Sequence, residues 1–546
     1  MKRYLVTAAL PYANGPLHLG HLRSTYYPGD IYTRFLRMLN EDVLYICATD
    51  EHGTPIIVNS EKENKTPKEF VDYYHNLDKE MFNRINVEFD SFHRTSSKEN
   101  VELAQHFFNL MNKNGHIYTK EIQQLYCEKC DRPLPDRLVK GSCPYCGEVD
   151  QYGDACEKCG RVIKVEQLVK PYCATCKTTP VKKPSVHYFF KLNDFSDKLN
   201  KWLTENKNLQ EDVKNYVISW INSGLNEWDI TRDLSWGVPV PKEKNLVFYV
   251  WFDAPIGYIS STIAKTSDWE KYWKSKDSQI VHFIGKDISY HHYLFWPAML
   301  MSINDGYNLP HSIPVRGYLN LEGKKFSKSK GWYVSIEQFL EHFSPDYLRY
   351  YITSLTPHAS TDADFYWKDF MLKINNELVA NMGNFIYRTL SMSKKHFTEI
   401  LPDIEPDENM ILKINETSRK VEMLVREYKV KEAMDLILAL SSEFNAYLSA
   451  NEPWKKEGKE KTKILITSIY GVHAISVLMN PYLPNITKDL RNSLGLNYSP
   501  KYTELGRSLS DNKVIKLGEI KPLFSKIDPD LIETLENKLK NNGSEV

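Results

Sequence analysis

Eight of the nine cysteines lie between Cys127 and Cys176, and they form four Cys-x-x-Cys pairs: Cys127/Cys130, Cys143/Cys146, Cys156/Cys159 and Cys173/Cys176. The surrounding stretch, 118–184, is rich in Cys, Gly, Pro and Lys and has little apolar periodicity, so cross-links must hold it together. Each pair offers two adjacent thiolates to a tetrahedral Zn²⁺. The natural count is two ions. The central pairs, nine residues apart, make one compact knuckle, and the outer pairs close around a second ion in a nested arrangement. Disulfides are the rival, but a chain of this size has little need of them and the spacing is that of metal knuckles. All-thiolate sets leave no open position for water, which makes the zinc structural rather than catalytic. Cys47, alone in a strand-like run, reads as a small core residue.

A chain of 546 residues exceeds one core, and roughly 100–200 residues per domain implies three or four units. With 70 Lys+Arg against 70 Asp+Glu, any basic surface for nucleic acid must be local. No cationic start leads into an apolar stretch, and no apolar run reaches the roughly 20 residues of a membrane span. A cytoplasmic protein that does not enter a membrane is expected. Ile464 to Met479 comes nearest, but Thr467, Ser468, Gly471, His473 and Ser476 interrupt it as in a buried bundle helix.

The first fifty residues pass from a strand (Tyr4 to Leu10), through an Asn14-Gly15-Pro16 turn, into a helical pattern broken at Pro28-Gly29, and then to a second strand (Val43 to Ala48). This βαβ start places ligands at the carboxyl ends of its strands, at 11–21 and 50–53. Leu246 to Phe252 and Ile280 to Gly285, β-branched and aromatic, are expected to complete a parallel sheet. Beyond about Phe370 the pattern is helical, with Met434, Ile437, Leu438, Phe444 and Leu448 near helical spacing. The polar end, Lys538 to Val546, is expected to fray.

Two loops carry chemistry. Pro11 to His21 sets His18 and His21 three residues apart at a helix start, where N–H groups face phosphate and Gly20 admits a nucleotide closely. Two imidazole donors there suit charge developing on the α-phosphate during adenylyl transfer. Gly323 to Gly331 packs Lys324, Lys325, Lys328 and Lys330 between glycines, a density that favours a lid settled by polyphosphate. Alone, each loop also has a plain reading, as an incidental histidine pair and a solvated turn.

Together, His18-Leu19-Gly20-His21 and Lys325-Phe326-Ser327-Lys328-Ser329 resemble the two signatures of the class I aminoacyl-tRNA synthetases. Leu and Phe stand at inward-facing apolar positions where the family more often has Ile and Met, which leaves the chemistry intact. Longer stretches resemble the methionyl-tRNA synthetase family: 9–15, 50–55, 251–258 and 284–288. The likeness covers the knuckles, in the two-zinc form.

That resemblance implies His18, His21, Lys325 and Lys328 as catalytic residues, and Asn14, Gly20, Lys286, Asp287 and Lys328 as the ATP site. It implies Leu10, Tyr12, Trp251, Ala254, Pro255, Tyr258, Ile288 and His292 around a methionine side chain, with Asp50 on its ammonium. Aromatic walls suit a polarizable thioether, and a Tyr hydroxyl or His N–H could reach its sulfur. Asn384, Arg388 and Trp454 resemble anticodon readers, with Trp454 as a stacking surface.

The implied architecture is α/β: a Rossmann-type parallel-sheet catalytic domain (1–115 and 231–320) with a zinc-knuckle insertion (116–230), a lysine-loop segment (321–370) and an α-helical bundle (371–546). The implied substrates are L-methionine, ATP-Mg²⁺ and tRNA(Met), and a monomer is expected, with a separately encoded tRNA-binding protein as a conceivable partner. A synthetase for isoleucine, valine or leucine would need an editing insertion for which 50–251 has no room beside the knuckles. A small-molecule adenylyltransferase would have no use for the bundle, and a non-catalytic RNA-binding knuckle protein none for the lysine loop.

Overall fold

The computed structural model describes residues 2–153, 156, 158, 163, 165–326, 331–397 and 400–544. Five parallel strands form the central sheet: β1 (Arg3–Ala8), β2 (Asp42–Thr49), β3 (Ser91–Arg94), β4 (Ser278–Gly285) and β5 (Val315–Arg316), in the order β5-β4-β1-β2-β3. In the centre, Leu5 of β1 pairs with Leu44 on one side and Ile280 on the other. Both edges of β1 are therefore taken, and its run from Tyr4 to Ala8 is buried throughout, as a strand covered on both faces requires.

The chain leaves β1 toward β2 on one side and returns to β4 on the other. The order reverses at β1, which opens a crevice at the carboxyl ends of β1 and β4.

Between β1 and the regular helix Tyr27–Met38 the backbone makes a 3₁₀ turn, Leu19–His21, and a π turn, Leu22–Tyr26. The expected break at Pro28-Gly29 thus falls just upstream. Proline is tolerated in the first turn of the helix, where its missing N–H has no partner to lose.

One sequence expectation fails outright. Leu246 to Phe252 does not join the parallel sheet: only Val247–Phe248 is extended, paired antiparallel with Thr231–Arg232, and Val250–Asp253 is already helical. Strand propensity there is overridden because the places beside β1 are filled by β2 and β4, while the turn of helix brings Trp251 and Ala254 to the crevice.

The insertion opens on a long ribbon, Ile117–Cys127 antiparallel to Val181–Phe190, which ends at the outer cysteine pairs. Beyond Phe370 the helices Asn384–His396, Glu408–Arg426, Val430–Asn451 and Gly458–Leu478 pack as a bundle. Met434, Ile437, Phe444 and Leu448 are buried as expected, whereas Leu438 is half-buried and Leu440 takes its core place. Gly471 allows the closest approach, since a Cβ there would meet the Phe444 ring at 2.5 Å. The final helix, Pro529–Ser544, anchored by buried Ile532 and Leu539, enters the polar end expected to fray; Glu545 and Val546 lie outside the described residues. Among the described residues no helix is long and apolar enough to cross a membrane.

One apolar core joins a face of the sheet to the bundle. At that seam Arg349, fully buried, binds Asp30 at 2.7 Å and the carbonyls of Asn86 and Pro481. A buried guanidinium is held charged by such a set of acceptors.

Candidate active site and cysteine clusters

A cavity of about 830 Å³ occupies the crevice. The loops after β1, β2 and β4, the turn 249–255 and the Lys324–Lys325 hairpin strand all reach it. It brings together Leu10, Tyr12, Asn14, His18, Gly20, His21, Asp50, Trp251, Ala254, Pro255, Tyr258, Asp287, Ile288, His292 and Lys325. Lys286 is absent from its wall; that ammonium pairs instead with Asp362 at 2.7 Å and lies over the Tyr318 ring. Lys328, with Ser327 and Ser329, lies outside the described residues.

The two histidines of the first loop are oriented by their own backbone. His18 caps the 3₁₀ turn: its Nδ1 accepts from the Gly20 N–H at 3.1 Å, and His21 Nδ1 accepts from the His18 N–H at 3.0 Å. A ring nitrogen that accepts carries no proton, so each neutral imidazole holds its proton on Nε2. The rings lie 3.9 Å apart, and Phe326 stacks on His18 at 4.9 Å and 4°. Gly20 has a local reason beyond nucleotide access: a Cβ there would stand 2.9 Å from His18 Cε1 and 3.0 Å from its Nδ1.

Asp50 is tied into the β1 loop through Asp50 N to Pro11 O at 2.8 Å and Ala13 N to Asp50 O at 2.9 Å. Its Oδ1 has no partner among the described residues, and burial, with nearby Asp253, pushes its carboxyl well above the usual range. A cation entering the cleft would restore its charge. Behind it, buried Asp253 holds His52 at 2.7 Å, and Tyr12 donates to the His52 carbonyl at 2.8 Å.

Deeper in, His292 Nδ1 faces the Ile288 carbonyl at 3.1 Å. A carbonyl only accepts, so Nδ1 bears the proton, and Nε2 accepts the Tyr258 hydroxyl at 2.8 Å. Burial drives the His292 pKa down to about 4, keeping it neutral. The expectation that its N–H could reach a thioether is therefore corrected: that proton is committed to Ile288. Trp251 lies on His291 at 3.7 Å and 13°.

Sequence reasoning missed His291, Arg137, Arg232, Tyr249 and Tyr318 as lining of the cleft, and the pairing of His52 with Asp253 behind it. Adjacent His291 and His292 just after a strand were a usable signal. Arg137 comes from the insertion and Arg232 from the strand that follows it, and neither had one.

The outer cysteine pairs converge as nested, with Cys127 and Cys176 Sγ atoms 3.3 Å apart and Cys130 and Cys173 3.9 Å apart. Cys143, Cys146 and Cys156 form a second group, with Cys146 and Cys156 3.6 Å apart; Cys159 lies outside the described residues. Four thiolates at about 2.3 Å from one ion stand about 3.8 Å apart, so the spacings fit metal coordination and are far beyond a disulfide bond. Both clusters could hold a metal ion.

In the bundle, Arg388 stands over the Trp454 ring at 5.3 Å, and Asn384 begins the same helix one turn earlier. Trp454 is 47 % exposed, too open for a packing anchor.

The sequence profile of the family described as tRNA synthetases class I (M) matches residues 4–390. This chain belongs to that family. The class I synthetases most similar to it include the methionine–tRNA ligase of Methanopyrus kandleri, 44 % identical over all of this chain and 83 % of its own length. That of Pyrococcus furiosus is 45 % identical over 92 % of this chain and 74 % of its own. A solved structure of Mycobacterium tuberculosis methionyl-tRNA synthetase with methionyl-adenylate superposes with a TM-score of 0.78, at 24 % identity, over 96 % of this chain and all of that one, and supports the class I fold.

Proposed function

We propose that this chain ligates L-methionine to tRNA(Met) through methionyl-adenylate. The observation that carries the reading is one cleft combining two Nε2–H imidazoles, His18 and His21, with a buried carboxyl, Asp50, and an aromatic recess of Tyr12, Trp251 and Tyr258.

In the first step a methionine carboxylate oxygen bonds to the α-phosphorus of ATP-Mg²⁺ while the bond to the β-phosphate oxygen breaks, releasing pyrophosphate. His18 and His21 donate to the phosphate oxygens as charge builds there, and Lys325, reaching the cleft from its hairpin, meets the outgoing phosphates. Asp50 binds the substrate ammonium, and the aromatic recess takes the thioether. Asn14, Gly20 and Asp287 line the nucleotide side; Lys286 would serve ATP only after leaving Asp362. Lys328 is assigned to the same phosphates on the resemblance alone. In the second step a hydroxyl of the tRNA terminal ribose attacks the activated carbonyl, and AMP leaves. No covalent enzyme intermediate is required, since placement and electrostatics supply the rate.

Zinc is the metal proposed for both cysteine clusters, in a structural role, because four thiolates per ion, with Cys159 counted on its spacing in the sequence alone, leave no open position. Asn384, Arg388 and Trp454 are assigned to anticodon bases, Trp454 by stacking. The segments 1–115 with 231–320, 116–230, 321–370 and 371–546 are taken as catalytic, insertion, lysine-loop and anticodon units, in a monomer acting in the cytoplasm.

The test is ATP–pyrophosphate exchange with each amino acid in turn, beside His21→Ala and Asp50→Asn. Exchange driven by methionine and lost in both folded variants is expected. Exchange driven by another amino acid would sink the methionine reading.

A further inference from the structure

The helix Glu211–Asn222 buries Val213, Val217 and Ile221 against the core, yet it presents two aromatic rings on another flank. Tyr216 is 59 % exposed, and Trp220, one turn on, is half-buried. Their rings lie 4.5 Å apart at 57°. Trp220 meets Tyr290 edge-on at 4.9 Å, and Tyr290 meets Phe295 at 5.0 Å. Phe295 lines the cleft. Four rings thus step from solvent to the reaction cavity, the outer two on a helix that touches the segment His291–Phe295 and the inner two at Tyr290 and in that segment itself.

Apolar packing does not account for the outer step, because a tyrosine this exposed gains little by burial. The chemistry of the cleft offers an occupant. If the acyl group is handed to a terminal ribose, the unpaired nucleotides before that ribose must cross the rim of the cavity, with their base faces open to stacking. Aromatic side chains bind unstacked bases through those faces, largely without regard to sequence.

We propose that Tyr216 and Trp220 form a stacking platform for the unpaired 3′ end of the tRNA, which guides the terminal ribose toward the cleft past Tyr290. This rests on the tRNA-charging reading above, and it names a surface for the second step alone. Tyr216 contributes through its ring, so its hydroxyl is dispensable.

The test uses the full chain with Tyr216→Ser and Tyr216→Phe. Methionine-dependent pyrophosphate exchange should stay within about twofold of the parent in both variants, since adenylation does not involve the platform. The KM for tRNA in charging should rise about 5- to 100-fold in Tyr216→Ser, the span expected for one lost base stack, and return in Tyr216→Phe. A minihelix carrying 2-aminopurine in its unpaired 3′ strand should be quenched by the parent and by Tyr216→Phe but not by Tyr216→Ser. Parental charging and quenching in Tyr216→Ser would overturn the platform and turn attention to a protein partner for these rings. A fall in exchange matching the fall in charging would also overturn it, by making Tyr216 a support of the cleft. Parental exchange with a different amino acid would sink only the methionine reading, and the platform would be scored with that amino acid's tRNA.

Discussion

Replacing Gly20 by alanine tests whether His18 is held in place by its own backbone. The added Cβ would stand 2.9 Å from His18 Cε1 and 3.3 Å from the Phe326 ring, on a residue whose neighbours already fill the space. To regain ordinary contact the imidazole must retreat by about 0.5–1 Å, which stretches its 3.1 Å bond from the Gly20 N–H beyond hydrogen-bond reach. Nε2–H moves with the ring. A displacement of about 1 Å at a reacting centre costs about 100-fold, or about 2.7 kcal/mol of transition-state stabilisation. Gly20→Ala should therefore lower kcat of pyrophosphate exchange about 10- to 100-fold with little change in the KM for methionine, because the recess of Tyr12, Trp251 and Tyr258 is untouched. Thermal stability should shift by no more than about 2 °C, since the half-buried ring borders the cleft, into which it can move, and alanine stiffens the unfolded chain. A kcat within twofold of the parent would refute the account of His18. A change confined to the KM for ATP would return Gly20 to its simpler role as a close approach for nucleotide.

Three further outcomes follow from other parts of the molecule. His187, buried between Asp229 at 2.7 Å and Asp233 at 2.9 Å, has its pKa raised to about 9 despite burial. Its stabilisation is fully present below about pH 6.5, where the unfolded imidazole is also charged, and is lost as pH rises through about 9. The melting temperature should fall between pH 7 and 9.5 by several degrees more in the parent than in His187→Gln; equal falls would show that the clamp is not the titrating element. Cys130→Ala should lower the metal content by about one ion per chain and loosen the insertion to proteolysis, read by elemental analysis and limited digestion; unchanged metal would remove Cys130 from the ligand set. Trp454→Ala should raise the KM for tRNA about 5- to 100-fold with pyrophosphate exchange intact, and an unchanged KM would make Trp454 a bystander.

The parts of the site that were legible in the sequence are those where neighbouring residues act together. His18 and His21 announce themselves because the cap that orients them is built within four residues, and the cysteine pairs because each supplies adjacent ligands. The buried His52–Asp253 pair spans 201 residues: each partner lies in a stretch the sequence singles out, but nothing local shows that the two meet. Arg137 reaches the cleft from the insertion, and Arg232 from the strand just after it, both far in sequence from the loops of the first half. The resemblance sets Lys286 on ATP, but Asp362, 76 positions later, takes its charge outside the wall of the cleft. The sheet was half-read for a similar reason. β1, β2 and β4 are long apolar runs, whereas β3 is four half-buried residues and β5 only two. Leu246 to Phe252 carried the stronger strand composition and yet pairs only with Thr231–Arg232, since composition does not specify which strand a segment joins.

The pairing of β1 with β4 also sets a timetable. Thr7 and His282, hydrogen-bonded across that pair, are 275 residues apart, so the β4 side of the earliest strand stays unmatched until half the chain has been made. At about 5–20 residues per second of synthesis, that is on the order of 15–55 seconds. Throughout that interval an apolar strand has one row of peptide groups open to any neighbouring chain. The whole insertion, with all four cysteine pairs, is translated within the same window, so it emerges while the sheet still lacks its second half.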